Sequence, residues 1–127
     1  QDAGVAQMVL VGTTAAASER CVELVAMATG LYAAVGIQPN YVSEAEAGDW
    51  EKIVQLVNHP EVVAVGETGL DRHWDYTPFP QQQDYFDRHI CLSQQCAKPF
   101  IVHMRDCEKE ILQMLREAVQ RAPLCGI

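Results

Sequence analysis

Four short apolar runs recur along the chain, at residues 7–11, 32–35, 62–65 and 100–102. Each run is shorter than a typical buried helix, and a glycine directly follows each of the first three runs. The short length and the glycines both favour strands. The runs are continuous rather than alternating. This pattern is typical of parallel strands that are covered on both faces.

Helical spacing of apolar residues separates these runs and predicts helices over 18–28, 49–57, 80–95 and 106–121. Asp49 and Asp106 are placed to cap the second and fourth helices, and Pro80 suits the first turn of the third. The residues expected on the apolar faces are Val22, Val25 and Ala26; Ile53, Leu56 and Val57; Phe86, His89, Ile90 and Ser93; and Ile111, Leu112, Leu115 and Val119.

The alternation of strand and helix predicts a parallel sheet, either an open doubly wound sheet or consecutive units of a barrel. The chain has neither a Gly-x-Gly-x-x-Gly turn nor a Gly-x-x-x-x-Gly-Lys loop. The sequence therefore does not favour folds that bind nucleotide phosphates through a glycine-rich loop. No low-complexity linker interrupts the pattern. We therefore expect residues 1–127 to form a single partial domain of about four β/α units.

Composition and charge exclude few functions. The chain is 49% hydrophobic and 20% charged, which is ordinary for a globular domain. Its net charge of −8 argues against a broadly basic surface that grips duplex DNA. A nucleic-acid substrate remains open, because bound divalent cations can reverse the local field inside a cleft.

Cysteine usage and hydropathy indicate a reduced, cytoplasmic protein without a membrane span. The five cysteines are odd in number and include no Cys-x-x-Cys pair. No apolar run approaches the roughly 18 residues of a spanning helix. The chain begins with Gln1, and a new apolar segment starts at Gly126-Ile127, so we interpret both ends as internal to a longer sequence.

A carboxylate, Glu67, is expected to end the third strand between Gly66 and Gly69. A buried carboxylate is costly unless a metal ion or a basic side chain compensates it, and no cation precedes Arg72 in this segment. Glycines beside it allow a ligand or backbone to approach closely. Both a metal-binding role and a structural ion pair remain open for Glu67.

A histidine, His103, is expected to end the fourth strand. A lone histidine in such a place is more often a hydrogen-bonded core residue than a metal ligand, and His59 and His89 are interpreted as structural or surface residues. The pair of Glu67 and His103 is the stronger signal. Two potential ligands at the same end of successive strands predict a shared metal site.

Three segments carry a resemblance to a known family. Residues 66–71, Gly-Glu-Thr-Gly-Leu-Asp, resemble the Gly-Glu-x-Gly-Leu-Asp signature of the TatD-like metal-dependent hydrolases, and residues 101–106 resemble that family's His-x-Arg-Asp segment. Pro78, Gln82 and Phe86 match its connecting helix. Residues 35–40 are similar to its Gly-Ile-His-Pro-His loop, but Gln38 and Asn40 replace the histidines.

The resemblance implies a (β/α)8 TIM-type barrel of the metal-dependent hydrolase kind, with about half of the barrel present in this chain. It also implies phosphodiester hydrolysis, most often of DNA, at one or two divalent ions, for which Mg, Mn and Zn are all candidates. Glu67 would be a metal ligand and catalytic residue, and His103 a second ligand. The family's opening His-x-His and its later His and Asp ligands have no counterparts in these residues, so we expect the 127-residue chain alone to be inactive.

Neighbouring residues add substrate contacts and alternatives. Arg105 can point at a substrate phosphate or pair with Asp71 or Glu67, and His73 and Trp74 can stack on a base or cover the barrel mouth. Two other functions stay open: amide or ester hydrolysis on the same barrel, and a truncated, non-catalytic module. No protein partner is identifiable from the sequence.

Overall fold

The computed structural model of the protein describes residues 3–125, and the apolar segment expected at residues 126–127 lies outside this range. The elements are β1 (Met8–Val11), α1 (Ala15–Val25), β2 (Leu31–Val35), a 3-10 helix (Pro39–Glu44), α2 (Asp49–Leu56), β3 (Val62–Asp71), α3 (Phe79–Cys96), β4 (Phe100–Arg105) and α4 (Glu108–Arg121). The predicted alternation of strands and helices is confirmed. The 3-10 helix was not predicted.

The four strands form one parallel sheet in the order β1-β2-β3-β4. A doubly wound sheet reverses its strand order at a switch point, whereas a barrel adds each strand beside the one before. The described strands follow the sequential order without a reversal. The arrangement is therefore that of consecutive barrel units.

Strand β3 runs six residues further than its apolar pattern indicates, because Val62–Asp71 is strand throughout. The prediction that Glu67 ends this strand is wrong, and His103 likewise lies within β4 (Phe100–Arg105) rather than at its end. The strands continue through these polar residues because backbone pairing between β3 and β4 continues there. Gly69 pairs with His103, and Asp71 pairs with Arg105. The ladder therefore carries side chains of both strands beyond the apolar core.

The core lies between the sheet and the helices, with α1 packed against β1 and β2, and α3 against β3 and β4. The predicted apolar face of α3 is confirmed, because Phe86, His89, Ile90 and Ser93 are all buried. Ile53 on α2 and Val57, which directly follows this helix, are buried as expected.

Two helix faces differ from prediction. Leu112 and Val119 are exposed, whereas Ile111 and Ala118 are buried. Helix α4 packs against α3 and β4 among the described elements, so only one narrow stripe of the helix is covered. Ala26 follows the end of α1 and is also exposed.

Both predicted aspartate caps are wrong. Gly48 precedes α2, and Asp49 is its first residue, where its carboxylate accepts a hydrogen bond from the Glu46 N–H. Cys107 precedes α4, no side-chain hydrogen bond caps this helix, and Asp106 has a positive φ of 55°. Asn and Asp tolerate this left-handed conformation better than most residues, so Asp106 serves the turn rather than the cap.

Candidate active site

The imidazole of His103 lies between two carboxylates contributed by β3. Its Nδ1 is 2.9 Å from Glu67 Oε1, and its Nε2 is 2.8 Å from Asp71 Oδ2. The His103 and Glu67 side chains are 21% and 29% exposed, whereas Asp71 is 1% exposed. The structure therefore brings the two predicted residues together and adds a third, buried residue.

Irregular backbone in β3 produces this arrangement. Between Val65 and Thr68 the strand gains one residue relative to β4, so Glu67 lies in a bulge, a feature that commonly redirects a side chain beside a site. Gly69 pairs with His103, and a Cβ at Gly69 would collide with the His103 carbonyl. The glycine thus lets β4 approach closely enough for His103 to fit between Glu67 and Asp71.

Asp71 is held in place by hydrogen bonds from several sides. Its Oδ1 accepts from the backbone N–H groups of His73 and Trp74, and its Oδ2 also accepts from Asn40 Nδ2 at 3.1 Å. Burial acts to raise the pKa of this carboxyl, but the donors from Asn40, Trp74, His103 and His73 together hold the pKa below its ordinary value. Asp71 is therefore a fixed, ionised acceptor for the His103 ring.

The loop after β2 closes one side of the site with Gln38 and Asn40. Gln38 Oε1 accepts from the Asn40 N–H at 2.9 Å, and Gln38 Nε2 lies 3.5 Å from His103 Nδ1. Asn40 Oδ1 is buried without a hydrogen-bond partner among the described residues. The two amides that replace the family's histidines thus contact the same cluster.

Glu67 and His103 suit two neighbouring positions around a divalent ion. Two donors at right angles, each about 2.1 Å from an ion, lie about 3 Å apart, which matches the Glu67 Oε1 to His103 Nδ1 separation of 2.9 Å. Asp71 lies at the opposite ring nitrogen, where a carboxylate commonly orients a metal-binding histidine. Within residues 3–125, no three His, Cys, Asp or Glu side chains converge on one ion position. These residues fit part of a coordination sphere.

The predicted substrate residues lie at the rim of the cluster. Arg105 forms no ion pair with Asp71 or Glu67 within the described chain, so that alternative is wrong. Its guanidinium instead lies 5.8 Å from the ring centre of Trp74. His73 packs edge-on against Trp74 and approaches Asp106 at 3.8 Å.

The two other histidines lie apart from this cluster, as expected. His89 is buried on α3, where its Nε2 accepts from the Ile37 N–H. His59 lies beside Glu61 at the turn before β3.

From the sequence, Asp71 was expected only as an ion-pair partner for Arg105, and its contact with His103 was not predicted. One signal was available. Residues 67, 69 and 71 alternate with their neighbours, and alternate residues of a strand face the same side. Once β3 is known to extend to Asp71, this spacing places a second carboxylate on the Glu67 side.

The fold and the cluster define a class of protein: a parallel β/α barrel segment with a histidine between two carboxylates toward the carboxyl ends of its strands. The chain belongs to the TatD related DNase family, whose model matches residues 1–126. The predicted family is therefore confirmed.

Curated and solved relatives agree with this assignment. The chain is 34% identical to the "Uncharacterized metal-dependent hydrolase YabD" of Bacillus subtilis over 89% of this chain and 44% of that protein. It is 27% identical to the "3'-5' ssDNA/RNA exonuclease TatD" of Escherichia coli over 96% of this chain and 47% of that protein. The crystal structure of YJJV, a TatD homolog from Escherichia coli, superposes with a TM-score of 0.85 at 30% identity, covering 91% of this chain and 46% of that one.

The chain thus spans about half the length of the curated relatives that it matches. The similarity to the solved homolog confirms the expected fold, part of a TIM-type barrel. In the described part of the chain, no helix combines the length and apolarity needed to cross a membrane.

Proposed function

We propose that the protein is a metal-dependent hydrolase of phosphodiester bonds in nucleic acid, of the TatD type, and that it acts on DNA as a deoxyribonuclease. The observation that carries the proposal is the Glu67–His103–Asp71 cluster, in which Glu67 Oε1 and His103 Nδ1 are 2.9 Å apart and Asp71 contacts the other nitrogen of the ring. The names of the relatives, which include ssDNA/RNA exonucleases and metal-dependent hydrolases, support it.

In this mechanism each residue has a distinct task. Glu67 Oε1 and His103 Nδ1 would hold a divalent ion, which when bound lowers the pKa of a water towards about 7 and polarises a phosphoryl oxygen. Asp71 would accept a hydrogen bond from the Nε2–H group, which leaves the Nδ1 lone pair free for the ion. Asn40 keeps Asp71 in position, and exposed Arg105 is available to a substrate phosphate.

The metal and the setting belong to the proposal as well. An oxygen and nitrogen donor set accepts Mg, Mn or Zn, with one or two ions. All five cysteines are free of disulfides, which supports a reducing, cytoplasmic environment. Residues 1–127 are proposed to form one partial domain of four β/α units.

Substitution of Glu67 tests the proposal directly. In protein expressed from the complete reading frame, Glu67→Ala should lower the bound metal in elemental analysis. It should also reduce cleavage of single-stranded DNA by at least about 10³-fold, because removal of one member of a catalytic set that acts as a unit removes most of the rate acceleration of the whole set. Glu51→Ala, an exposed carboxylate on α2, is the matched control and should change neither.

Two results would contradict this assignment. Unchanged metal content in Glu67→Ala would remove Glu67 from the ions. Cleavage of amide or ester substrates with no cleavage of nucleic acid would instead support amide or ester hydrolysis on the same barrel.

A further inference from the structure

A groove beside the His103 cluster is lined on one side by aromatic rings that are open to solvent. It encloses about 480 Å³ between the loop after β2 and the loop after β3, and its lining residues are Gln38, Asn40, Tyr41, Glu44, Trp74 and Tyr76. Asn40 also donates to Asp71, so the groove and the cluster share a wall. A molecule in the groove would therefore lie next to the proposed metal donors.

The aromatic side of the groove is preformed. The rings of Trp74 and Tyr76 are stacked, with centres 5.4 Å apart and planes 14° from parallel. The two residues are 43% and 60% exposed, and Tyr41 across the groove is 40% exposed. Trp74 and Tyr76 cover each other's facing sides, and Arg105 lies over the Trp74 ring, so the more exposed Tyr76 offers the flat face for a planar ligand.

The polar side of the groove is neutral or acidic. Within the described residues its lining contains no lysine or arginine, and Glu44 would repel a phosphate. Two amide atoms are incompletely satisfied within residues 3–125: Asn40 Oδ1 has no hydrogen-bond partner there, and Gln38 Nε2 lies 3.5 Å from His103 Nδ1. A planar ring with amide-like donors and acceptors at its edge matches this chemistry, whereas a phosphate does not.

We propose that this groove holds an unpaired nucleobase of a single-stranded nucleic acid, stacked on the Trp74–Tyr76 pair, while the adjoining phosphate lies at the His103 cluster. The inference rests on the proposed function and names a substrate feature for it. Stacking tolerates any base, because every base has a flat π face. A base held within a duplex is not free to stack in this way.

Binding can be tested without hydrolysis by working in EDTA. The probe is a five-residue oligothymidylate, and its comparison is an oligomer of the same length in which every site is abasic. The thymidylate should quench the tryptophan fluorescence of the wild type saturably, and Trp74→Leu, which keeps Trp50, should lose this quenching. By anisotropy the thymidylate should bind at least about 10-fold more tightly than the abasic oligomer. Tyr76→Leu and Trp74→Leu should each weaken thymidylate binding about 5-fold or more and leave abasic binding unchanged.

Tyr32→Leu is the matched control, because Tyr32 is an aromatic residue in β2 outside the groove lining, and it should bind like the wild type. Equal binding of the two oligomers, equal binding by the groove variants and the wild type, or absence of saturable quenching would overturn the inference. These binding results can be distinguished from a failure of the proposed function, because binding is measured without cleavage. A protein that binds thymidylate in the groove but never cleaves it would keep the groove and refute the nuclease.

Discussion

The region around His89 and the region around His103 each engage both nitrogens of an imidazole, but with different partners. His89 is fully buried, accepts from the Ile37 N–H at 3.0 Å and donates from Nδ1 to the Tyr85 carbonyl at 2.6 Å. His103 is partly exposed and faces a carboxylate at each nitrogen. Backbone groups occupy both hydrogen-bonding sites of His89, whereas His103 Nδ1 lies 2.9 Å from a Glu67 oxygen with which it is proposed to share an ion.

The comparison shows that the partners of a histidine, rather than its burial alone, distinguish a structural residue from a candidate ligand. His89 links α3 to the end of β2 as a neutral ring. His103 depends on a bulge, a glycine and a buried aspartate for its orientation.

The largest effect is expected at Gly69, which permits the close approach of β4 at His103. Gly69→Ala should destabilise the protein by about 3 kcal/mol or more, because it combines left-handed strain with a backbone collision. Gly48→Ala is the control: it has a positive φ but open space around it, so it should cost only about 1–2 kcal/mol. Urea unfolding measures both. Equal losses would show that the close approach at His103 is not tight.

The next effect concerns pH and the His89 region. Burial, with a contribution from Arg88, lowers the pKa of His89 to about 4 from 6.5 despite the hydrogen bond to Tyr85. Between these values the unfolded state binds a proton that the folded state does not, so stability should fall as pH falls from 6.5 towards 4, by about 3 kcal/mol in total.

Urea unfolding at several pH values, compared between the wild type and His89→Gln, isolates this term from the carboxylates. The difference in unfolding free energy between the two proteins should shrink as the pH is lowered. A difference that stays constant from pH 7 to pH 4.5 would contradict a neutral, buried His89.

The smallest effect is expected at Asp71, in the His103 region. Asp71→Asn should weaken Mn²⁺ binding about 10- to 100-fold. The asparagine amide can turn its NH2 group, which is not an acceptor, towards the His103 Nε2–H, and the His103 ring is then held less firmly. Calorimetric titration of protein from the complete reading frame measures this loss. Asp75→Asn, an exposed aspartate in the following loop, should bind normally. Unaltered affinity in Asp71→Asn would remove Asp71 from the positioning of His103.

Local patterns were sufficient for the alternation of strands and helices, the buried face of α3 and the proximity of Glu67 to His103. These features follow from short-range periodicity and from parallel strands ending at one edge. The residue motifs also identified the TatD family, which the family comparison confirmed.

Tertiary contacts decided the rest. Apolar periodicity stops at Val65, so it could not show that backbone pairing with β4 carries β3 on to Asp71. The partner of Arg105 and the exposure of Leu112 likewise depend on residues distant in the chain or on which neighbours cover a helix. Local sequence encodes how a segment repeats, whereas the partner of a polar side chain depends on which segments meet in space.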